Sequence, residues 1–505
     1  MNNTDSTAKF ENEALKEIRT RFIYPFFFEP GAVERASTLL RESALFGKSA
    51  VWRCCKCDDV YEEETLAHVA RFLFPHNNSS ARCNYLEVEN DTLNRIFHGG
   101  LVLELSPDCK LTVQREGVEI FLNMLGVGVL SITLKLVGNM FTTDDAAAFN
   151  YCIVQPRKKS SHGLRLPHSG NESEQRNKPP LADDVPLGER VGVRGGRFWL
   201  VELAQALLEP MSAVGLQPAL SANLVQAQFW VCSVARFDES VDWNDAATRN
   251  KFARFLSALA QVEEPGHAGT IGEELGVANA VLNTKHWAAV GLMGAVHLLA
   301  DQPNNHQFNS ARVSRAMRKY FVPYLMALFQ YLMLQRAASE ASALVKSPDA
   351  GAKLAGLRQS LLEFGVGGHF GQVSSRHAVQ RFFRVAEEGL SINEAWQEVR
   401  QAIEDLDAKV TAEQTRKLAE ETKVLAEGQK QATEELVQLQ SMVHLIEVFI
   451  VSVYTAELWH LFAAENEWLK DHHLVSIGVV VFAILGAACA WFLLKPWQHK
   501  RKRDH

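Results

Sequence analysis

A chain of 505 residues has room for two or three domains. Its formal net charge of −7, with 22% charged residues and no strongly basic half, excludes a general nucleic-acid binder. No Walker A loop, HExxH helix, nucleophile elbow or kinase signature set occurs, so the chain does not read as an enzyme and no catalytic residue is assigned.

Met1–Ala8 is polar and the first apolar run, Phe22–Phe28, is too short for a signal-peptide core, so no N-terminal signal is expected. Residues 1–154 read as an α/β N-terminal cytoplasmic domain. Extended segments are expected at Arg21–Phe28, Ala50–Cys57, Cys83–Val88, Leu101–Leu105, Lys110–Gln114, Val118–Leu122 and Leu130–Val137. Helices are expected at Ala32–Leu45 and Glu63–Phe74, and Arg115-Glu116-Gly117 suits a hairpin turn. The cysteines show no framework spacing and read as reduced thiols. Cys54 and Cys57, with Cys55 or Cys83, have the makings of a zinc site. A second C-x2-C or a His pair is missing, and no metal is assigned.

Residues 155–190 hold few large apolar residues and read as a flexible insertion or linker. Residues 191–390 read as a mainly helical cytoplasmic domain, with apolar three- and four-residue steps in Trp199–Leu208, Ala246–Gln261, Lys285–Leu299, Val313–Arg336 and His377–Glu388. The most apolar stretch, Tyr320–Leu334, is too short for a membrane span and favours a buried core helix. Gly365–Gly371 suits a hinge or turn better than a phosphate cradle, because no convincing strand precedes it.

Ser391, with Glu394 three residues on, has the pattern of a capping box. Residues 391–442 then form a stalk. Ile392, Trp396, Val399, Ile403, Leu406 and Val410 follow heptad spacing, which Leu418, Leu425, Leu436 and Leu439 resume after a phase slip. Such a coiled coil either packs on its own domain or continues into a membrane helix as part of an oligomer. Residues 443–463 are a first span, 464–473 a short acidic outer loop, 474–494 a second span without a charge, and 495–505 a basic cytoplasmic tail. Lys495, Lys500, Arg501, Lys502 and Arg503 hold the C-terminus in the cytoplasm. Two spans return the N-terminus there too, in an inner (cytoplasmic) membrane. The alternative is an amphipathic first helix lying on the bilayer.

Glu447, Tyr454 and Glu457 fall on one arc of the first span and read as pore-lining, since a carboxylate facing lipid costs about 2.5–3.5 kcal/mol. Glu465, Glu467 and Asp471 in the loop make an outer cation ring when several copies assemble.

This C-terminal plan resembles the CorA family of pentameric divalent-cation channels and transporters: a cytoplasmic α/β head, a long helix into the first span, an acidic outer loop, a second span and a basic C-terminus. The family's Gly-Met-Asn signature is absent, and Tyr454-Thr455-Ala456-Glu457-Leu458 occupies the matching stretch. Magnesium selectivity therefore does not carry over. The resemblance implies a homopentamer, metal-ion transport and a divalent cation as the transported ion.

The head strings Val118-Glu119-Ile120-Phe121-Leu122, Gly126-Val127-Gly128-Val129-Leu130-Ser131 and Arg194-Gly195-Gly196-Arg197-Phe198 are similar to CorA-like effectors encoded beside type III CRISPR systems. That similarity implies gating by a nucleotide second messenger, an S-adenosylmethionine–AMP conjugate (SAM-AMP), in antiviral defence. A phosphate-bearing ligand needs positive donors, and Arg190, Arg194 and Arg197 are the candidates, with Asp238 and Glu239 as weaker ribose or amine contacts. The same arginines fit the solvated end of the linker equally. Two other functions are compatible with the chain: a housekeeping divalent-cation (Mg, Zn or Co) transporter, and a membrane-tethered scaffold that senses a ligand and conducts nothing.

Overall fold

The structure, a computed structural model, describes residues 13–43, 52–54, 65–73, 85–89, 101–106, 109–138, 141–154, 164–165, 197–198, 200–219, 229–263, 277–345, 350–465, 477–481, 484–486 and 488. The chain divides into two compact units, Met1–Asp407 and Ala408–His505.

The first unit is mixed α/β, built around strand β2 (Glu17–Phe27). Its residues alternate: Ile18, Phe22, Tyr24 and Phe26 enter one core, while Glu17, Arg19 and Arg21 point to the other face. One edge of β2 pairs antiparallel with β7 (Val127–Val137) and the other with β12 (Trp230–Phe237). Among the described residues the sheet has 13 strands. Its main path adds β5 (Leu101–Ser106), β6 (Cys109–Leu122), β9 (Leu164–Arg165) and β10 (Arg197–Phe198) on the β7 side. Beyond β12 lie β15 (Gly294–Ala300), β14 (His286–Gly291) and β13 (Ala278–Asn283). Short β3 (Trp52–Cys54) pairs β4 (Tyr85–Val88), which pairs β6, and β11 (Gln217–Pro218) pairs the end of β2. Pro25, which has no N–H to give a ladder, falls in the gap where β12 ends and β11 begins.

Helices cover both faces. The first core takes in α1 (Val33–Glu42), α3 (Thr143–Val154), α4 (Leu200–Leu208) and α5 (Ala246–Gln261). The carboxylate of Asp245 caps α5 by accepting from the amides of Ala247 and Thr248. The opposite face receives α6 (His306–Leu344) and α8 (His377–Gly389). Tyr320–Leu334 lies within α6 and is almost wholly buried, a core helix as its length required. Phe321 packs there on Phe121 and under the Arg21 guanidinium.

Four expectations are corrected. Residues 191–390 are not a separate, mainly helical domain: β12 through β15 join the sheet begun before residue 154. Lys285–Leu299 is the β14–β15 hairpin rather than a helix. Both strands are buried on both faces, so their apolar residues run together and mimic helical spacing. Gly294 permits this approach, because a Cβ there would sit 2.6 Å from the Val231 carbonyl oxygen. Arg115-Glu116-Gly117 is likewise no hairpin turn. It is a bulge inside β6, and the turn comes at Asn123–Gly126, where Gly126 has φ 80°. The thiol expectation fails at Cys54, which is disulfide-bonded. Cys152 and Cys232 are not in disulfides, and burial pushes the Cys232 thiol up to about 12.

Between β14, β15, α6 and α8, His286 Nε2 and His297 Nδ1 lie 3.0 Å apart against Tyr320 and Phe382. Burial lowers both histidines, His297 to about 3; the charges of His297, Arg312 and Lys319 lower His286 further. Both stay neutral in the fold, whereas in the unfolded chain they take up protons below about pH 6.5. Their stabilisation is therefore complete above pH 6.5 and declines as the pH falls, by up to about 1.4 kcal/mol per unit for each ring. Denaturant unfolding followed from pH 7.5 to 5 should show this loss, with a shallower slope in His297→Gln.

Candidate functional site

Helix α9 spans Ile392–Glu465 without a break, 74 residues, or about 110 Å at 1.5 Å per residue. It starts where the capping-box pattern indicated, although Ser391 has φ 49° rather than an extended N-cap backbone. Up to Leu406 its apolar positions pack on the first unit: Ile392, Val399, Ile403 and Leu406 are buried. The preceding glycine-rich string ends helix α7 (Ala350–Gly367), with the amides of Gly368 and His369 both donating to the Phe364 carbonyl. His369 stacks on Trp396 with 5.6 Å between centroids. A turn is the role this string fills.

Beyond residue 408 the seam continues along the helix with its leucines uncovered among the described residues. Leu418, Leu425, Leu436 and Leu439 are all exposed, Leu425 at 70%. Among the described residues α9 is the one helix long and apolar enough to cross a membrane, and none of its most apolar window is buried.

Helical geometry separates two faces of the apolar end. At about 100° per residue, Glu447, Tyr454 and Glu457 lie within an arc of about 80°. All three are exposed, and His444 Nδ1 lies 3.0 Å from Glu447 Oε2. Ile450 and Leu461 share the arc, so it is mixed rather than wholly polar. Val448, Ser452, Thr455, Ala456 and Trp459 are the half-buried positions, and their stripe is centred roughly opposite. The shorter apolar helix Ile477–Gly486 meets that stripe at two points. A Cβ on Gly478 would collide with the Trp459 indole, and one on Gly486 would meet the Ser452 hydroxyl at 3.3 Å. Those pairs run antiparallel, and small residues let the two backbones approach. Among the described residues of one chain, the second helix thus leaves the carboxylate arc open.

Of the outer acids, Glu465 is the last residue of α9 and is exposed, while Glu467 and Asp471 lie outside the described residues. Arg190 and Arg194 also lie outside them. The backbone of Arg197 is in β10, at the sheet edge. Asp238 follows β12, six strand steps away, roughly 29 Å along the sheet at about 4.8 Å per strand. Arg197 and Asp238 of one chain therefore do not share a site. The Asp238 carboxylate instead accepts from the Ser240 hydroxyl and amide. Those bonds, against slight burial and with Lys16 and Lys285 assisting, lower its pKa. It holds a turn.

One site was missed in the sequence. A cavity of about 890 Å3 opens on the α6 face of the sheet, beside the β6 bulge, with four arginines in its wall: Arg19, Arg21, Arg115 and Arg318. The available signal was the run Glu17, Arg19, Arg21 at alternate positions of an otherwise apolar strand. Comparison with known proteins returns no match of any kind, neither a family model nor a curated protein nor a solved structure.

The close contact at Gly478 yields a test of the hairpin. Gly478→Leu places a branched side chain where Trp459 stands, and should separate the two apolar helices. A cysteine pair at positions 452 and 486 should crosslink rapidly in the otherwise unchanged chain and poorly in the Gly478→Leu background.

Proposed function

We propose that the chain is a homo-oligomeric membrane cation channel of CorA-like plan, with two spans and both termini cytoplasmic. The observation that carries this reading is the opposition of faces on the apolar end of α9. The second helix packs on Ser452 and Trp459, leaving Glu447, Tyr454 and Glu457 on the uncovered side. Carboxylates left toward lipid are costly, whereas around a shared axis they line a hydrated path. The uncovered seam at Leu436 and Leu439 supports assembly of several copies, a pentamer under the family resemblance. In the assembled protein Glu465, Glu467 and Asp471 form the outer ring that concentrates cations. The head then carries the gate, responding to the SAM-AMP-type messenger that the resemblance implies in CRISPR-linked defence.

In proteoliposomes, Glu457→Ala and Glu447→Ala should each change divalent-cation flux at least about threefold while insertion and assembly stay intact. Unchanged flux in both variants would remove the pore assignment, and no flux under any condition from a normally assembled protein would favour a tethered scaffold. Assembly has its own check. Leu436→Lys with Leu439→Lys puts like charges into the seam and should shift native mass spectra in detergent from oligomer to monomer.

A further inference from the structure

Strand β6 changes partners along one edge. Cys109–Val113 pair with β5 and Glu119–Phe121 pair with β4. Gln114–Val118 between them have no strand partner on that edge among the described residues, although β7 pairs them on the other. The bulge between Arg115 and Gly117 falls in this gap. Bulges bend a strand and re-aim its side chains, and are over-represented beside active sites. The cavity of about 890 Å3 opens here, between the fork and Ser314, Met317 and Arg318 of α6. That volume falls in the range of small-molecule sites.

The wall has two chemical sides. One is cationic. Arg19 donates to Glu17 and, at 2.8 Å, to Glu116, while Arg21 pairs with Glu119 and lies 4.1 Å from the Phe321 ring centroid. Arg115 adds a guanidinium whose pKa burial pulls down, and Arg318 reaches the cavity from the exposed side of α6. The other side is anionic. Glu87 and Glu119 are direct partners across the β4–β6 ladder, an arrangement in which like charges repel. The Tyr85 hydroxyl lies within hydrogen-bond reach of both carboxylates but has a single proton to give. Arg21 already gives Glu119 a donor, and the Glu87 carboxylate has room to accept a further one. Arginine forks match the oxygens of a phosphate, and one phosphate can engage two of them where a small carboxylate fills one.

We propose that the fork cavity binds a phosphate-bearing small molecule of nucleotide size. The arginines take its phosphate oxygens, and the Glu87–Glu119 edge takes its hydroxyl or amine donors. The inference supplies a ligand site for the proposed gate, but binding itself does not rest on ion conduction.

Isothermal titration of the full-length protein in nanodiscs, against ATP, AMP and inorganic pyrophosphate, tests it. Gly117→Phe is the informative variant, because residue 117 lines the cavity and a Cβ there meets nothing within 4 Å, so the substitution takes up ligand space while every arginine and glutamate stays in the sequence. The wild type should bind at least one probe, and Gly117→Phe and Arg318→Gln should each weaken it by about tenfold or more. Glu87→Gln should weaken the nucleotides and spare pyrophosphate. If Gly117→Phe fails to fold, the exposed Arg318→Gln decides. No binding of any probe by the wild type, or affinities within about twofold of it in Gly117→Phe and Arg318→Gln, would overturn the site. Affinity lost only in Arg194→Ala would overturn it in favour of the residue 190–197 arginines. Because binding is read without ion flux, its failure leaves the pore reading standing, and a failed pore leaves the site standing.

Discussion

The antiparallel pairing of β2 on both its edges holds the first unit together. Eleven residues near the start of the chain accept β7 on one side and β12, more than 200 residues later, on the other. The loop-closure cost of so distant a pairing must be offset by what the strand buries. Ile18, Phe22 and Phe26 are fully buried in one core, while Ile23, on the opposite face, is fully buried as well. The charged residues Glu17, Arg19 and Arg21 sit at one end of that opposite face, where they meet carboxylates and guanidinia of neighbouring strands. Glu17 is ionised below the usual carboxylate range: burial raises it, but Arg19 and Lys135 together outweigh burial. A buried charge persists in such a sheet because it is paired, and removing one partner costs more than the pair contributes.

The same alternation that sets the core also opens the fork cavity. A strand of 14 residues that passes from one partner to another cannot keep its ladder through the exchange. The bulge absorbs the mismatch and places Arg115 and Glu116 in the cavity wall. Sheet geometry and polar chemistry therefore have one cause here.

How much of this was legible in the sequence depends on which interactions decide each segment. Ala246–Gln261 and His377–Gly389 could be read because one face of each is wet and their apolar spacing is clean. The long helix α9 could be read because nothing in 74 residues interrupts it; Gly428 lies in open space and costs only local propensity. The β14–β15 hairpin could not, since burial on both faces erases the period of two on which strand assignment depends. The cavity was illegible for a different reason. Arg19, Arg115 and Arg318 are far apart in sequence and meet only through strand order, whereas Arg190, Arg194 and Arg197 drew notice simply by being neighbours. The carboxylate arc could be read from helical geometry alone, but which side the second helix would cover could not.

In the proposed membrane oligomer, that coverage constrains how copies can pack. A two-helix unit in a bilayer has the second helix on one flank and must place every other flank against lipid, another copy or water. The intramolecular contact, Gly478 against Trp459 and Gly486 against Ser452, already occupies one flank, so this flank is closed to other copies. Of the flanks that remain, the one bearing Glu447 and Glu457 is the most expensive to expose to hydrocarbon, at about 5–7 kcal/mol for two carboxylates. Phe449 and Val453, exposed at angles well away from it, lose nothing there. The least costly arrangement turns the carboxylate arc inward, lets Ile446 and Leu458 on its borders meet neighbouring copies, and leaves the second helix on the outside as the contact with lipid. A ring with the second helix innermost would reverse each of these terms, placing a segment without a charged side chain around the axis and both carboxylates at its rim.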